Sequence, residues 1–256
     1  MKSSPLTIKS LSLTDSSNKT DTIYQSPQPT LGDFVFDASV ANVFPDMIQR
    51  SVPGYAAIIN MIAILTELHA QPNTHLYDLG CSLGASANAM ANGLGDKDCR
   101  IIAVDNSQAM LDKATANSSL NASRIQFELG DIRGVDIQNA SLVVLNFTLQ
   151  FLPREERAEL LGKIAKGLQP DGILILSEKI QAETQEEDDR LIEMHHAFKR
   201  SQGYSELEVS QKRSALENVL LPEKLSTHTQ RLKDVGFTSV DCWFQCFNFV
   251  SMVARV

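Results

Sequence analysis

The sequence predicts an α/β fold: a doubly wound, mostly parallel sheet of Rossmann-like type, closed by a C-terminal antiparallel hairpin and interrupted by one helical insertion. Three observations predict it. Short apolar runs at 76–79, 100–104, 125–129, 140–147 and 173–176 alternate with helical stretches, the pattern of a parallel sheet covered on both faces. The first run passes through Gly80-Cys81-Ser82-Leu83-Gly84 straight into a helix over 85–94. The final runs, 238–247 and 249–256, follow one another with no helix between them, so they pair antiparallel.

Composition bounds the function. The chain has 256 residues, a net charge of −8 and 43% hydrophobic residues, which suits one globular domain. An acidic chain without a basic stretch grips phosphate backbones poorly, so direct nucleic-acid contact is not expected and a small-molecule substrate is. No run approaches the ~20 apolar residues of a membrane span, and no signal sequence is expected, since no charged-then-apolar pattern stands at residues 1–30. The four cysteines (Cys81, Cys99, Cys242, Cys246) form no C-x-x-C, consistent with reduced thiols in a cytoplasmic protein.

Residues 1–30, rich in Ser, Thr and Pro, read as a disordered polar tail. Their lack of Arg argues against a transit peptide. A single domain is expected over 31–256. Its first part, 31–70, is an N-terminal lid and helix: Pro45 and Pro53-Gly54 punctuate it, 46–50 reads as one helical piece, and Tyr55 starts an amphipathic helix with Ile58, Ile59, Ile62, Leu65 and Leu68 on one face. Arg50 and Tyr55 either face a ligand here or are a solvated Arg and a packed Tyr.

The glycine turn carries the first chemical signal. A strand that runs through glycines into a helix N-terminus brings backbone N–H groups and the positive helix end to a ligand. Asp105, about twenty residues on at the end of the second strand, is placed for a ribose diol. Ser82 stands where the middle glycine of a dinucleotide loop would be, and Asp78 precedes Gly80 by two, where it can meet an ammonium group. The combination suits S-adenosylmethionine (SAM) better than NAD. An ordinary strand–helix turn would share the glycines but not the two acids.

A helix over 110–119 and a third strand follow. In the turn Gly130-Asp131-Ile132, Asp131 can accept the adenine amino group while Ile132 packs on the ring, or Asp131 can cap the turn. Asn146 ends the 140–147 strand at the edge where open α/β sheets bind ligands. Pro153 to Gly167 reads as a helix and Pro170-Asp171-Gly172 as a turn. Residues 182–221 form a charged helical insertion that covers the site or makes a dimer surface. Its His195-His196 pair diverges by ~100° on a helix, so one packed and one exposed histidine is expected and no metal site. The last helix is expected over 227–235. Cys242 and Cys246 lie an even number apart on a strand and are both expected in the core.

The runs V-F-P-D-M-I-Q-R-S-V-P-G-Y (43–55), Y-D-L-G-C-S-L-G-A (77–85), L-N-F-T-L-Q-F-L (145–152), H-H-A-F-K-R-S-Q-G-Y-S-E-L-E-V-S-Q-K-R (195–213) and W-F-Q-C-F-N-F (243–249) closely resemble the carboxy-S-adenosyl-L-methionine synthase family, within the SAM-dependent methyltransferase superfamily. The resemblance runs from about residue 31 to the C-terminus. It implies a homodimeric enzyme that moves the carboxyl group of prephenate to the methyl carbon of SAM, giving carboxy-SAM and phenylpyruvate. The product then serves a downstream enzyme that builds 5-oxyacetyluridine at the tRNA wobble position. Carried over by position, the ligand contacts fall on Tyr55, Gly80, Cys81, Ser82, Asp105, Asn106, Asp131, Ile132, Asn146 and Arg213.

That chemistry needs dry enclosure and cations more than a protein base. Prephenate can aromatise by expelling carbon dioxide and hydroxide; the hydroxide takes a SAM methyl proton, and the resulting ylide traps the carbon dioxide. Arg213 is expected to hold the new carboxylate, with Arg200 and Lys199 for prephenate's two carboxylates. Spacing alone equally allows a surface ion pair between Arg213 and Glu206 or Glu217. Two other readings are an ordinary methyltransferase of a small acid or tRNA, with His195 or His196 as its base, and a non-catalytic SAM-binding partner.

Overall fold

A computed structural model describes residues 19–28 and 32–256. Strands β1 (Thr74–Leu79), β2 (Cys99–Asp105), β3 (Ile125–Leu129), β4 (Ala140–Asn146) and β5 (Leu168–Gln181) run parallel, and β7 (Ser239–Cys246) and β8 (Phe249–Arg255) close the sheet antiparallel. The strand order is β3-β2-β1-β4-β5-β8-β7, with the two-residue β6 (Glu223–Lys224) pairing the end of β5. Order reverses between β1 and β4, and the crevice of an open α/β sheet lies at such a reversal. β4 is buried at every position but its last, Asn146, because helices cover both faces.

Helices α2 (Tyr55–His69) and α3 (Ala85–Gly93) pack on one face, around Ile58, Ile62, Leu76, Met90 and Val144. Helices α5 (Arg157–Gly167) and α8 (Leu225–Asp234) cover the other, around Leu161, Ile164, Leu174 and Leu232. Helix α4 (Gln108–Asn117) follows β2. The insertion is two helices, α6 (Gln185–Ser201) and α7 (Glu206–Leu216). Each opens on a reciprocal capping box, Thr184 with Glu187 and Ser205 with Glu208.

Several expectations are corrected. Helix α1 (Ala38–Ser51) runs unbroken through Pro45, since buried Val40, Ala41, Val43 and Met47 hold its apolar face despite the hydrogen bond that proline removes. Helix α5 starts at Arg157 rather than Pro153: Leu152 is extended, as a residue before proline prefers, and 154–156 form a turn. Strand β5 is far longer than 173–176 because β8 pairs with it through Ser177, Glu178 and Lys179, and the Ser177 and Ser251 hydroxyls bond at 2.9 Å. Leu68 on α2 is 68% exposed, outside the buried face.

The cysteine expectation fails for a local reason. Cys242 pairs with Met252 but Phe244 pairs with Ser251, so a bulge inserts one extra residue at Trp243. Parity is lost: Cys242 and Cys246 sit opposite Met252 and Phe249, three apart on β8, and so point to opposite faces. Cys242 is exposed and Cys246 half-buried.

Part of the expected tail is packed. Asp21 and Tyr24 are buried, and the Gln211 side chain donates to the carbonyls of Tyr24 (2.9 Å) and Ser26 (3.0 Å). Tyr24 joins Phe34, Val43, Met47, Met110 and Ala215 in a third core cluster that roofs the Leu83 turn. The rest of 1–30 lies outside the described residues. No single described helix is long and apolar enough to cross a membrane; α1 and α2, which have the length together, meet at 97°.

Candidate functional site

The glycine turn is fixed by sterics. Gly80 has φ +80°, and a Cβ there would lie 2.3 Å from Thr148 Cγ2. Ser82 adopts φ +50°, a conformation few non-glycine residues hold, and so turns its N–H onto Asp105 Oδ2 at 2.8 Å. Ser107 N–H donates to Asp105 Oδ1 at 2.9 Å. Burial raises the Asp105 carboxyl above the usual range against these two amides. Each oxygen keeps a lone pair for a diol. Cys81 is buried within the turn, its thiol pushed up by burial and by Asp78, and Asn106 is exposed beside Asp105.

Asp78 is not accounted for by the protein alone. It is 1% exposed, and neither carboxylate oxygen has a hydrogen-bond partner among the described residues. Burial pushes it up to about 7; the Ala87 amide at the start of α3 opposes part of that without a well-formed hydrogen bond, and Asp105 adds to it. Tyr55 faces it, its phenol raised by burial and by Asp78. Asn146 Nδ2 donates to Ser86 Oγ at 3.2 Å, leaving the buried Oδ1 unpartnered. Buried polar groups are rarely left unpaired. Asp78 and Asn146 Oδ1 together are what a ligand with ammonium and hydroxyl donors would satisfy.

Strand register puts these groups on one face. Asp78 pairs with Val144, and Asn146, two residues on, pairs with Ser177. Parallel partners share a face, and side chains alternate, so Asp78, Asn146, Ser177 and Lys179 all project on the α2–α3 side at the C-terminal edge. Asp131 lies farther out. It caps the turn after β3 and forms a bidentate pair with Arg133, which holds its carboxyl low. The structure thus shows Asp131 in its capping role, while Ile132 beside it is buried.

The insertion closes the edge with cations. Lys199 is 6% exposed and Lys212 is 5% exposed. Lys212 donates to Ser51 Oγ at 3.1 Å and approaches Asp21 at 3.6 Å. Arg50 stacks on the Tyr204 ring at 3.9 Å and pairs with Asp46, so it braces the insertion. Arg200 is exposed and pairs with Glu206 at 3.5 Å. Arg213 is exposed and makes no ion pair among the described residues, with neither Glu206 nor Glu217, and its charge acts on Lys179 and His196. His195 is buried and donates Nε2–H to the Ser51 carbonyl at 2.8 Å; burial pushes it down to about 3. His196 is half-buried. Among the described residues no cluster of three His, Cys, Asp or Glu could hold a metal.

Sequence reasoning passed over Ser86, Thr148, Phe147, Lys179 and Asp21. Phe147 has φ +62°, strain that marked sites often store, and packs on Phe249 with ring centroids 5.9 Å apart. For Phe147 and Thr148 the available signal was their position just past the end of β4.

Residues 76–172 match the family described as Methyltransferase domain. The chain is 55% identical over 236 residues to a protein of Haemophilus ducreyi named carboxy-S-adenosyl-L-methionine synthase, covering 91% of this chain and 97% of that one. It is 56% identical to the protein of the same name from Shewanella putrefaciens, with 91% and 97% covered. Among solved structures, an O-methyltransferase family protein from Burkholderia thailandensis is similar with TM-score 0.61 at 14% identity, covering 86% of this chain and 60% of that one. Human N-acetylserotonin methyltransferase, solved with SAM, follows with TM-score 0.56 at 16% identity, covering 85% and 55%. These two likenesses concern the fold.

Proposed function

The chain belongs to the carboxy-S-adenosyl-L-methionine synthase family, and from that premise we propose that it makes carboxy-SAM, taking SAM as acceptor and prephenate as carboxyl donor and releasing phenylpyruvate. The observation that carries the SAM part is Asp78: a buried carboxylate with two unpartnered oxygens, two residues before a glycine turn whose Asp105 is held by amides. SAM supplies an ammonium for Asp78, a ribose diol for Asp105 and an adenine edge for Asp131 and Ile132. Meeting the adenine would require Asp131 to share its carboxylate with Arg133.

The protein's tasks are positioning and exclusion of water. Tyr55 and the Phe147–Phe249 pair wall the site. Arg213, free of any ion pair among the described residues, supplies the guanidinium that holds the product's new carboxylate. Lys199 serves the donor's carboxylates. An ordinary methyltransferase would want a base, and His195 is unsuited: its Nε2–H is committed to Ser51 and burial keeps its basicity far below neutral. We take the active form to be a homodimer whose product feeds a tRNA-modifying enzyme.

Mass spectrometry of reactions with SAM, with and without prephenate, tests this reading. The expected result is a prephenate-dependent product heavier than SAM by one carbon dioxide, together with phenylpyruvate. S-adenosylhomocysteine formed with an acceptor would make the protein a methyltransferase instead. SAM binding without turnover would leave a binding module.

A further inference from the structure

Two ammonium groups lie at the C-terminal edge of the sheet without an ion-pair partner among the described residues. Lys179 ends the row that begins at Asp78 and Asn146, and its backbone partner across the ladder is Phe249. The Phe249 ring packs against His195 at 4.8 Å, and Lys199 follows His195 by one helical turn on α6. Strand and helix thus bring Lys179 and Lys199 to the same small volume, each close enough to depress the basicity of His195 or His196. Neither ammonium makes an ion pair or hydrogen bond among the described residues; Lys199 has only the Tyr204 ring, at 5.7 Å.

The carboxylates that could neutralise them are engaged elsewhere. Asp188, the acid acting on Lys179, accepts the Ala182 amide at 2.9 Å. Asp21 and Glu208 act on Lys199, but Asp21 accepts from the Tyr204 hydroxyl at 2.5 Å, and Glu208 accepts the Ser205 amide at 2.7 Å. Enclosed like charges repel and are costly to desolvate. Such a group persists where a ligand of opposite charge completes it.

We propose that Lys179 and Lys199 form a dianion-binding floor that holds the carboxylates of the donor, with the Phe147–Phe249 pair as the apolar wall for its ring. The ligand class is a small dicarboxylate carrying an unsaturated ring. The proposal rests on the donor reading above, and extends it to Lys179, a side chain otherwise without a role.

The test is calorimetric titration of prephenate into full-length protein preloaded with S-adenosylhomocysteine, so that nothing turns over. Lys179→Met and Lys199→Met should each weaken prephenate at least about tenfold, while Lys179→Arg stays near wild type. S-adenosylhomocysteine affinity, measured first on every variant, should be unchanged, which separates loss of an anion contact from loss of fold. Prephenate bound by Lys179→Met as tightly as by wild type would overturn the proposal, as would parallel loss of both ligands or no prephenate binding by wild type. Lys179-dependent binding without any carboxy-SAM in the turnover assay would support the floor and overturn the proposed reaction.

Discussion

Asp78 places binding and stability in opposition. A carboxyl whose folded value is about 7, against ~3.9 in an unfolded chain, keeps a proton that the unfolded chain has lost. The contribution of this group to stability therefore falls as pH rises from about 4 to about 7. Asp78→Asn should leave melting near pH 4 almost unchanged and raise the ligand-free Tm at pH 8, while SAM affinity drops at least about tenfold; scanning calorimetry and titration read the two effects. Arg213 makes the reverse case. Its side chain is exposed and unpaired among the described residues, so Arg213→Leu should change stability by less than about 0.5 kcal/mol. Carboxy-SAM formation should fall on the order of a hundredfold, the loss expected when one charge-stabilising group is removed. A normal rate in that variant would remove Arg213 from the chemistry. Asp78, Asp105 and Asn146 were legible in the sequence because strand ends before glycines or turns are few. Lys179 was not, because Ser-Glu-Lys after an apolar run reads as a chain leaving the sheet, and only pairing with β8 shows that the strand continues.

At the scale of elements, the segment 19–28 acts as a strap across the insertion. Asp21 is 2% exposed and has three partners: its N–H donates to Asp46 on α1, and its carboxylate meets Tyr204 before α7 and Lys212 within it. Removing one partner of a buried charge pair strands the other. Asp21→Ala should destabilise the protein by about 3–5 kcal/mol in urea unfolding, and Asp21→Asn by less, since an amide still accepts from Tyr204. Composition hid this strap, because one acid and one aromatic within a Ser- and Thr-rich stretch look like solvated chain. The capping boxes of α6 and α7 were visible as Thr-x-x-Glu and Ser-x-x-Glu, whereas the bulge in β7 has no local signature and reversed the cysteine assignment.

At the scale of the whole molecule, the alternation of strands and helices made the sheet legible, because a parallel sheet covered on both faces demands continuous apolar runs. The cation cluster required the tertiary fold. Burial and neighbouring cations push Lys199 down to about 7 and burial pushes Lys212 down to about 8. A base whose folded value is depressed gives up its proton before the unfolded chain does, so its unfavourable contribution is full below pH ~7 and fades toward pH ~10.5. Donor binding runs the other way, since it needs the charged lysine. The prephenate KM should therefore rise as pH goes from 7 to 9, and Lys199→Met should flatten that rise. The bulge at Trp243 has its own consequence at this scale. Strand β7 is an outer edge of the sheet, and an unpaired edge is a template on which stray strands of other molecules can add. The extra residue kinks that template and breaks its run of evenly spaced amides, so the irregularity that misplaced two cysteines also guards the chain against growing into a fibre.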